Sequence, residues 1–508
     1  MTGKIKSLGE LEQIVGGLKE QGKRIVHCHG VFDMMHPGHI KSLQAAKREG
    51  DVLVVTVTED KYVDKGPDRP YYTHNIRAET LASLECVDLV AINNVSTAVG
   101  LIESLKPDVY VKGSEFKGGN DATGKIQKEI EAIEKVGGRI FYTDEITFSS
   151  SKIINAHSDL YPKETREYLK KLSSQHSSKE IIKSLKDLGK LKVLVIGDTI
   201  IDEYHYVQPL ERPPKETMLA VKYIGEETFA GATLASANHV AGFCKNIDLV
   251  TCLGENDWEK QERFIREHLK SNISPTFFYR KDAPTTIKRR YVEKPFLRKL
   301  FEVCVVDENQ LNNELEENVV NHLNQMLPEY DAVIVSDFGH GFIGNKMIDC
   351  LSEKSKFLAV STQTNESNNG FNMITKYPRA DYICIDEPEV RLAMHEKNAP
   401  IRSLIEKLIS ERDYKNVIIT QGHKGSLAYS AKEGFSEIPV FSSGSVVDTI
   451  GAGDAYFSVT SPYIANGNSM ELAGFIGNVA GAIAVNYIGN KESVEPDKVY
   501  KFINTLMK

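Results

Sequence analysis

At 508 residues the chain is too long for one hydrophobic core and points to two or three domains. Its 41% hydrophobic and 26% charged residues are those of a soluble globular protein, and a net charge of −8 argues against nucleic acid as a partner. No apolar run approaches the roughly 18 residues that span a bilayer, and the opening Met1-Thr2-Gly3-Lys4-Ile5-Lys6 lacks a signal peptide's apolar core, so a cytoplasmic protein with no membrane partner is expected.

An amphipathic helix is predicted over Leu8–Glu20, then a strand over 25–29, a loop over 30–37, a helix over 39–49 and a strand over 52–57. Helical and strand patterns keep alternating: 75–84, 89–92, 97–105, 109–111, 125–136 and 140–142. Such alternation, with near-unbroken apolar strands, argues a doubly wound parallel sheet. Two charged helical stretches, 162–172 and 180–188, flank the serine-rich 173–178, which reads as a join. The chain is therefore divided into 1–157, a helical linker over 158–190, and 191–508. Fragments cut at the join are expected to fold separately. In the third part strands are expected at 193–196, 249–253, 332–335, 357–360, 382–385 and 417–420, with a helix over 475–485. The cysteines Cys28, Cys86, Cys244, Cys252, Cys304, Cys350 and Cys384 form no Cys-x-x-Cys pair and read as reduced core thiols. In His27-Cys28-His29 strand alternation puts the histidines on one face and the thiol on the other, against a shared ion.

The first loop, Gly30-Val31-Phe32-Asp33-Met34-Met35-His36-Pro37-Gly38-His39, follows a strand and opens a helix, where open α/β sheets bind ligands. Two imidazoles three apart fit a metal, phosphate stabilisation or plain helix capping. The stretch resembles the His-x-Gly-His signature of the nucleotidyltransferase superfamily. It is most similar to small cytidylyltransferase-like enzymes and to the transferase half of bifunctional heptose-phosphate kinase/adenylyltransferases. The resemblance extends to Lys65-Gly66-Pro67-Asp68-Arg69-Pro70 with Arg77 following, to Lys106–Gly113, and to Phe148-Ser149-Ser150-Ser151-Lys152. It implies a Rossmann-like domain with Gly30, Phe32, Ser149, Ser150 and Ser151 at the nucleotide. His36, His39, Lys65 and Lys112 would neutralise developing charge, with Mg²⁺ on the leaving group. CTP and ATP both stand as nucleotidyl donor.

Near the end, Asp448-Thr449-Ile450-Gly451-Ala452-Gly453-Asp454 reads as a loop entering a helix. The glycines admit a phosphate to the backbone N–H groups, the helix start adds its dipole, and Asp454 is placed as a base. This run resembles the signature of the ribokinase-like (PfkB) carbohydrate kinases. The resemblance implies a ribokinase-like α/β domain that uses ATP, with Gly451, Ala452 and Gly453 as the anion cradle. It carries Thr420, Gly422, Gly425 and Asn478 to the nucleotide and Asp198, Asp202, Gly231 and Asn238 to the sugar. Asp386 and Glu389, standing where relatives carry Asn-x-x-Glu, are assigned to water around Mg²⁺. Lys288, Arg289, Arg290 and Arg298 read either as a phosphate site or as a solvated basic face. The implied whole is a bifunctional enzyme with the halves in the opposite order from the heptose enzymes. Its partners would be sugars or sugar phosphates and nucleoside triphosphates, and a homo-oligomer is compatible with this. The rivals are a cofactor-type adenylyltransferase in the first half and a sugar-binding regulatory module in the second.

Overall fold

The computed structural model describes residues 2–67, 69–117, 125–143, 161–211, 218–281, 283–294, 296–365, 368–441 and 446–508. Packing divides the chain at Ser178: Met1–Ser178 and Tyr500–Lys508 fall in one compact unit, Lys179–Phe441 and Ser445–Val499 in the other. The division falls at the end of the serine-rich join. The helices beside it are no free spacer, since Lys163–Gln175 buries Leu169 and Leu172, and Ser178–Asp187 buries Ile181, Ile182 and Leu185. A cut there also separates Tyr500–Lys508 from the unit it belongs to.

The first unit is built on a six-stranded parallel sheet in the order Ile5–Lys6, Leu89–Asn93, Val52–Thr58, Ile25–Gly30, Val109–Gly113, Arg139–Thr143. The order reverses direction at Ile25–Gly30, which opens a crevice at that strand's carboxyl end. Helix Leu8–Glu20 starts at a capping box between Ser7 and Glu10 and buries Leu11 and Val15. The helix expected over 39–49 begins earlier, as Pro37–Lys47, because proline's fixed φ suits the first turn.

Arg77 ties this unit's loops together. It is 1% exposed and donates to the Tyr72, Val31 and Thr58 carbonyls and to the Asp60 carboxylate. Asp33, also buried, accepts from the Tyr71 and Tyr72 N–H groups at 2.8 and 3.1 Å.

The second unit has a nine-stranded sheet. Its order is Ile273–Arg280, Asn246–Gly254, Lys192–Gly197, Ala332–Asp337, Leu358–Thr362, Arg379–Asp386, Asp413–Thr420, Ser426–Ser430, Gly434–Ile438. All pairs are parallel until the last two, which are antiparallel. The order reverses at Lys192–Gly197, and Asp198 and Asp337 lie at the carboxyl ends there. Helices Ala452–Ala465 and Met470–Ala484 are apolar almost all round and correspondingly buried. A separate four-stranded sheet, in the order Arg298–Val305, Thr286–Glu293, Thr199–Pro209, Val221–Ala232, was not anticipated as a sheet. Its edge strand Arg298–Val305 leaves Cys304 exposed, which corrects the expectation of a core thiol there. No helix of the described residues is long and apolar enough to cross a membrane.

Replacing Arg77 by Met should lower the first unit's stability by about 3 kcal/mol, because Asp60 and three carbonyls lose their donor in a buried site. Urea titration followed by probes in that unit measures it. An unchanged midpoint would show that the loops hold without the guanidinium.

Candidate active sites

In the first unit, the turn after Ile25–Gly30 holds Phe32 (φ 52°) and Met34 (φ 49°) in the left-handed region. Such conformations cost about 1–3 kcal/mol each and persist where surroundings over-determine them. The Phe32 ring lies against Gly30, where a Cβ would stand 3.1 Å from it, and edge-on to the His39 ring at 5.6 Å. His36 caps helix Pro37–Lys47, its Nδ1 accepting from the His39 N–H at 3.3 Å, and the two imidazoles stack with centroids 3.8 Å apart. Burial lowers both, His39 to about 3 with help from the His36 and Lys65 charges. Both favour the neutral imidazole in the free protein, a form that carries one ring N–H.

Lys65 is brought down to about 8, first by burial and then by the Lys508 charge. Lys112 is already committed. It pairs with Glu129 at 2.7 Å, both side chains being nearly buried, and lies 5.2 Å over the Tyr110 ring. Thr56 Oγ1 meets His27 Nε2 at 2.8 Å and His29 Nδ1 at 2.9 Å, so the two histidines share a face as their spacing requires. Ser149, Ser150 and Ser151 lie outside the described residues.

In the second unit, the loop into helix Ala452–Ala465 turns at Gly451 (φ 82°), where a Cβ would meet Asn490 Oδ1 at 2.3 Å. Asp448 braces this loop. It accepts from the Ile450 and Gly489 N–H groups, from Tyr204 Oη at 3.0 Å and from Lys299 Nζ at 2.5 Å. Hydrogen bonds and the Lys299 charge hold its carboxyl below the usual range despite burial. Asp454, in the first helical turn, is pushed up to about 7 by burial and the neighbouring Asp202 carboxylate, with Lys288 opposing. Asp202 accepts from Arg290 at 2.5 Å and from Asn490 at 3.3 Å, and a Cβ at Gly231 would strike its Oδ2 at 2.2 Å. Arg290 also pairs with Glu302 at 2.7 Å. Lys288 is 8% exposed and makes no hydrogen bond among the described residues. Arg289 pairs instead with Glu203 and Arg298 is exposed, so the basic run splits by strand alternation.

The other expected residues do not join this cluster. Asp198 accepts from the Phe338 and Phe342 N–H groups and is raised to about 6 by burial and Asp337. Asn238 is spent on the His268 carbonyl and the Lys270 N–H. Asn478 donates to the Ile438 and Pro439 carbonyls, fixing the strand end beside the Gly422–Gly425 turn. There a Cβ at Gly425 (φ 94°) would meet the Ile438 carbonyl at 2.1 Å, and Thr420 ends the neighbouring strand. Asp386 and Glu389 form a reciprocal capping box, and burial beside Asp386 lifts Glu389 to about 8. The sequence reading missed Tyr204, Lys299 and Asn490, although Gly489-Asn490 after an apolar helix is a turn signal.

Residues 190–497 match the pfkB family of carbohydrate kinases. The chain belongs to that family. Residues 27–156 match a cytidylyltransferase-like domain, so a nucleotidyltransferase-like domain precedes the kinase domain. Among similar proteins is the bifunctional protein HldE of a Nitratiruptor species, 46% identical over 137 residues, 27% of this chain and 30% of that protein. Another is HldE of Geotalea uraniireducens, 42% identical over 151 residues, 29% of each. The matched stretch is the N-terminal part of this chain, in keeping with a swapped order of halves, and it spans under a third of those relatives' length. A structure of phosphofructokinase-2 from Escherichia coli with potassium aligns over 63% of this chain and all of that one. It has a TM-score of 0.50 at 13% identity and shows the fold alone.

Asp454 gives this pfkB kinase a pH signature in stability. Its folded pKa of about 7 lies above the ordinary 3.8, so folding disfavours the ionised form, and the penalty grows as pH rises from about 4 to above 7. Asp454→Asn should therefore raise the melting temperature at pH 8 and hardly change it at pH 4. A variant equally stabilised at both values would show that Asp454 is not raised.

Proposed function

We propose that the chain is a bifunctional carbohydrate-activating enzyme. Its C-terminal unit moves the γ-phosphoryl group of ATP to a hydroxyl of a sugar, sugar phosphate or polyol. Its N-terminal unit joins a phosphorylated sugar to the nucleotidyl group of CTP or ATP with release of pyrophosphate. The product is a nucleotide-activated sugar for a surface glycan.

The carrying observation is Asp454, a carboxylate raised to about 7 at the mouth of the Gly451–Gly453 helix start. A base with that pKa ionises near neutrality yet still takes a proton. The sugar hydroxyl gives its proton to Asp454 as its oxygen attacks the γ-phosphorus, and the bond to the departing ADP oxygen breaks. The N–H groups of the cradle face the transferring phosphoryl group. Asp202, oriented by Arg290, accepts a second substrate hydroxyl, and the uncommitted Lys288 meets negative charge on the phosphoryl group or on a substrate phosphate. A regulatory sugar-binding module would have no use for such a base.

Among the described residues no cluster of three or more His, Cys, Asp or Glu side chains fits a metal ion. Mg²⁺ would therefore be held chiefly by nucleotide phosphates, with Asp386 and Glu389 reaching it through water, and would shield their charge. In the first unit a sugar-phosphate oxygen attacks the α-phosphorus and the bond to the pyrophosphate oxygen breaks. His36 and His39 donate hydrogen bonds and Lys65 supplies the cation.

Asp454→Asn should abolish ADP formation while leaving pyrophosphate release intact, because it keeps the size and loses the base. His36→Ala or His39→Ala should cut pyrophosphate release by about 100-fold and spare ADP formation. A screen of free and phosphorylated sugars against each nucleoside triphosphate, reading ADP and pyrophosphate separately, measures both. A fully active Asp454→Asn variant would sink the kinase assignment.

A further inference from the structure

The loop that carries Lys65 is backed by residues more than four hundred positions away. Tyr500–Lys508 belongs to the first unit, and there Phe502 is fully buried with its ring against Gly66. A Cβ on Gly66 would lie 2.1 Å from Phe502 Cδ2, and its φ of 100° also demands glycine. On the residue before Lys65, Asp64 accepts from Lys501 Nζ at 2.7 Å, with Lys125 at 4.0 Å from the same carboxylate. Lys508 lies close enough for its charge to act on Lys65.

Buried Val499, Phe502, Ile503 and Leu506 follow the i, i+3, i+4, i+7 pattern of ordinary helix packing. Packing alone does not require Lys501 or Lys508. Both lie off that stripe, and each bears on one member of Asp64-Lys65-Gly66.

We propose that residues 500–508 are a positioning element of the nucleotidyl-transfer site, in which Phe502 and Lys501 fix the loop that aims the Lys65 ammonium at the triphosphate. This rests on the reading of Lys65 given above. The charged and titratable groups facing Lys65 are Asp33, Arg69, Arg77 and Lys508, with His39 close by. Loosening Phe502 admits water to Lys65, and Lys508→Glu reverses a neighbouring charge without touching the packing. Both changes raise the Lys65 pKa. A fragment ending near residue 172 lacks the element and should transfer poorly even when folded.

The test uses the full chain. Phe502→Ala and Lys501→Ala should each lower kcat for pyrophosphate release from CTP or ATP with sugar phosphates about tenfold, with ADP formation unchanged within twofold. Phe502→Leu should recover most of the loss. The pH dependence of Lys65 acetylation, followed by mass spectrometry, should titrate near 8 in the parent chain and at higher pH in Phe502→Ala and Lys508→Glu. A loss of stability alone would not move that titration in folded Phe502→Ala. Should Phe502→Ala fail to fold, Lys501→Ala and Lys508→Glu decide. Full pyrophosphate release in Lys501→Ala with an unmoved titration in Lys508→Glu would overturn the proposal. Lys65→Ala separates the two ideas. If it keeps full activity, the role of Lys65 falls; if it is dead while the 500–508 variants are normal, this proposal alone falls.

Discussion

Two neighbouring carboxylates set the terms for the second unit. Asp202 and Asp454 are like charges in a poorly solvated place, where one raises the other unless cations answer them. The four-stranded sheet supplies the cations. In its parallel register Lys288 stands opposite Asp202, and Arg290 follows on the same face. Gly231 and Gly451 complete the arrangement by absence of bulk, since a Cβ at either would strike Asp202 or Asn490. Asp454 is left with a proton affinity useful near neutral pH. Asp448, with hydrogen bonds and Lys299 around it, is driven the opposite way and holds the loop.

The first unit solves its charge problem differently. Burial removes the charge from the stacked His36 and His39, and Glu129 occupies Lys112. Arg77, with four hydrogen bonds among the described residues, faces carbonyls and Asp60 and organises backbone. Lys65, the cation proposed for the triphosphate, sits in a loop that pairs with Lys501, packs against Phe502 and lies within reach of the Lys508 charge.

Much of this was legible in the linear chain. The helix over Leu8–Glu20 carries its own capping box, and strands such as Val52–Thr58 are apolar on both faces, so local pattern and tertiary burial agree. The four-stranded sheet was harder to read, for a physical reason. On Thr286–Glu293 the buried positions are Thr286, Lys288, Arg290 and Val292, while Ile287 and Tyr291 face outward. Charges that serve a site invert the alternation that marks a strand.

The sequence by itself determined the two α/β units, their order, and the glycine-bearing loops at their strand ends, because short-range pattern and backbone-permissive glycines encode those features. The tertiary structure decided which polar residues remain available for chemistry. Asn238, Asn478 and Lys112 carry the right chemical groups but already have polar partners within the fold. Of the four basic candidates Lys288, Arg289, Arg290 and Arg298, Lys288 is the buried one without such a partner among the described residues. The partner of Gly66 lies at Phe502, and no local pattern can report a contact closed over that length of chain.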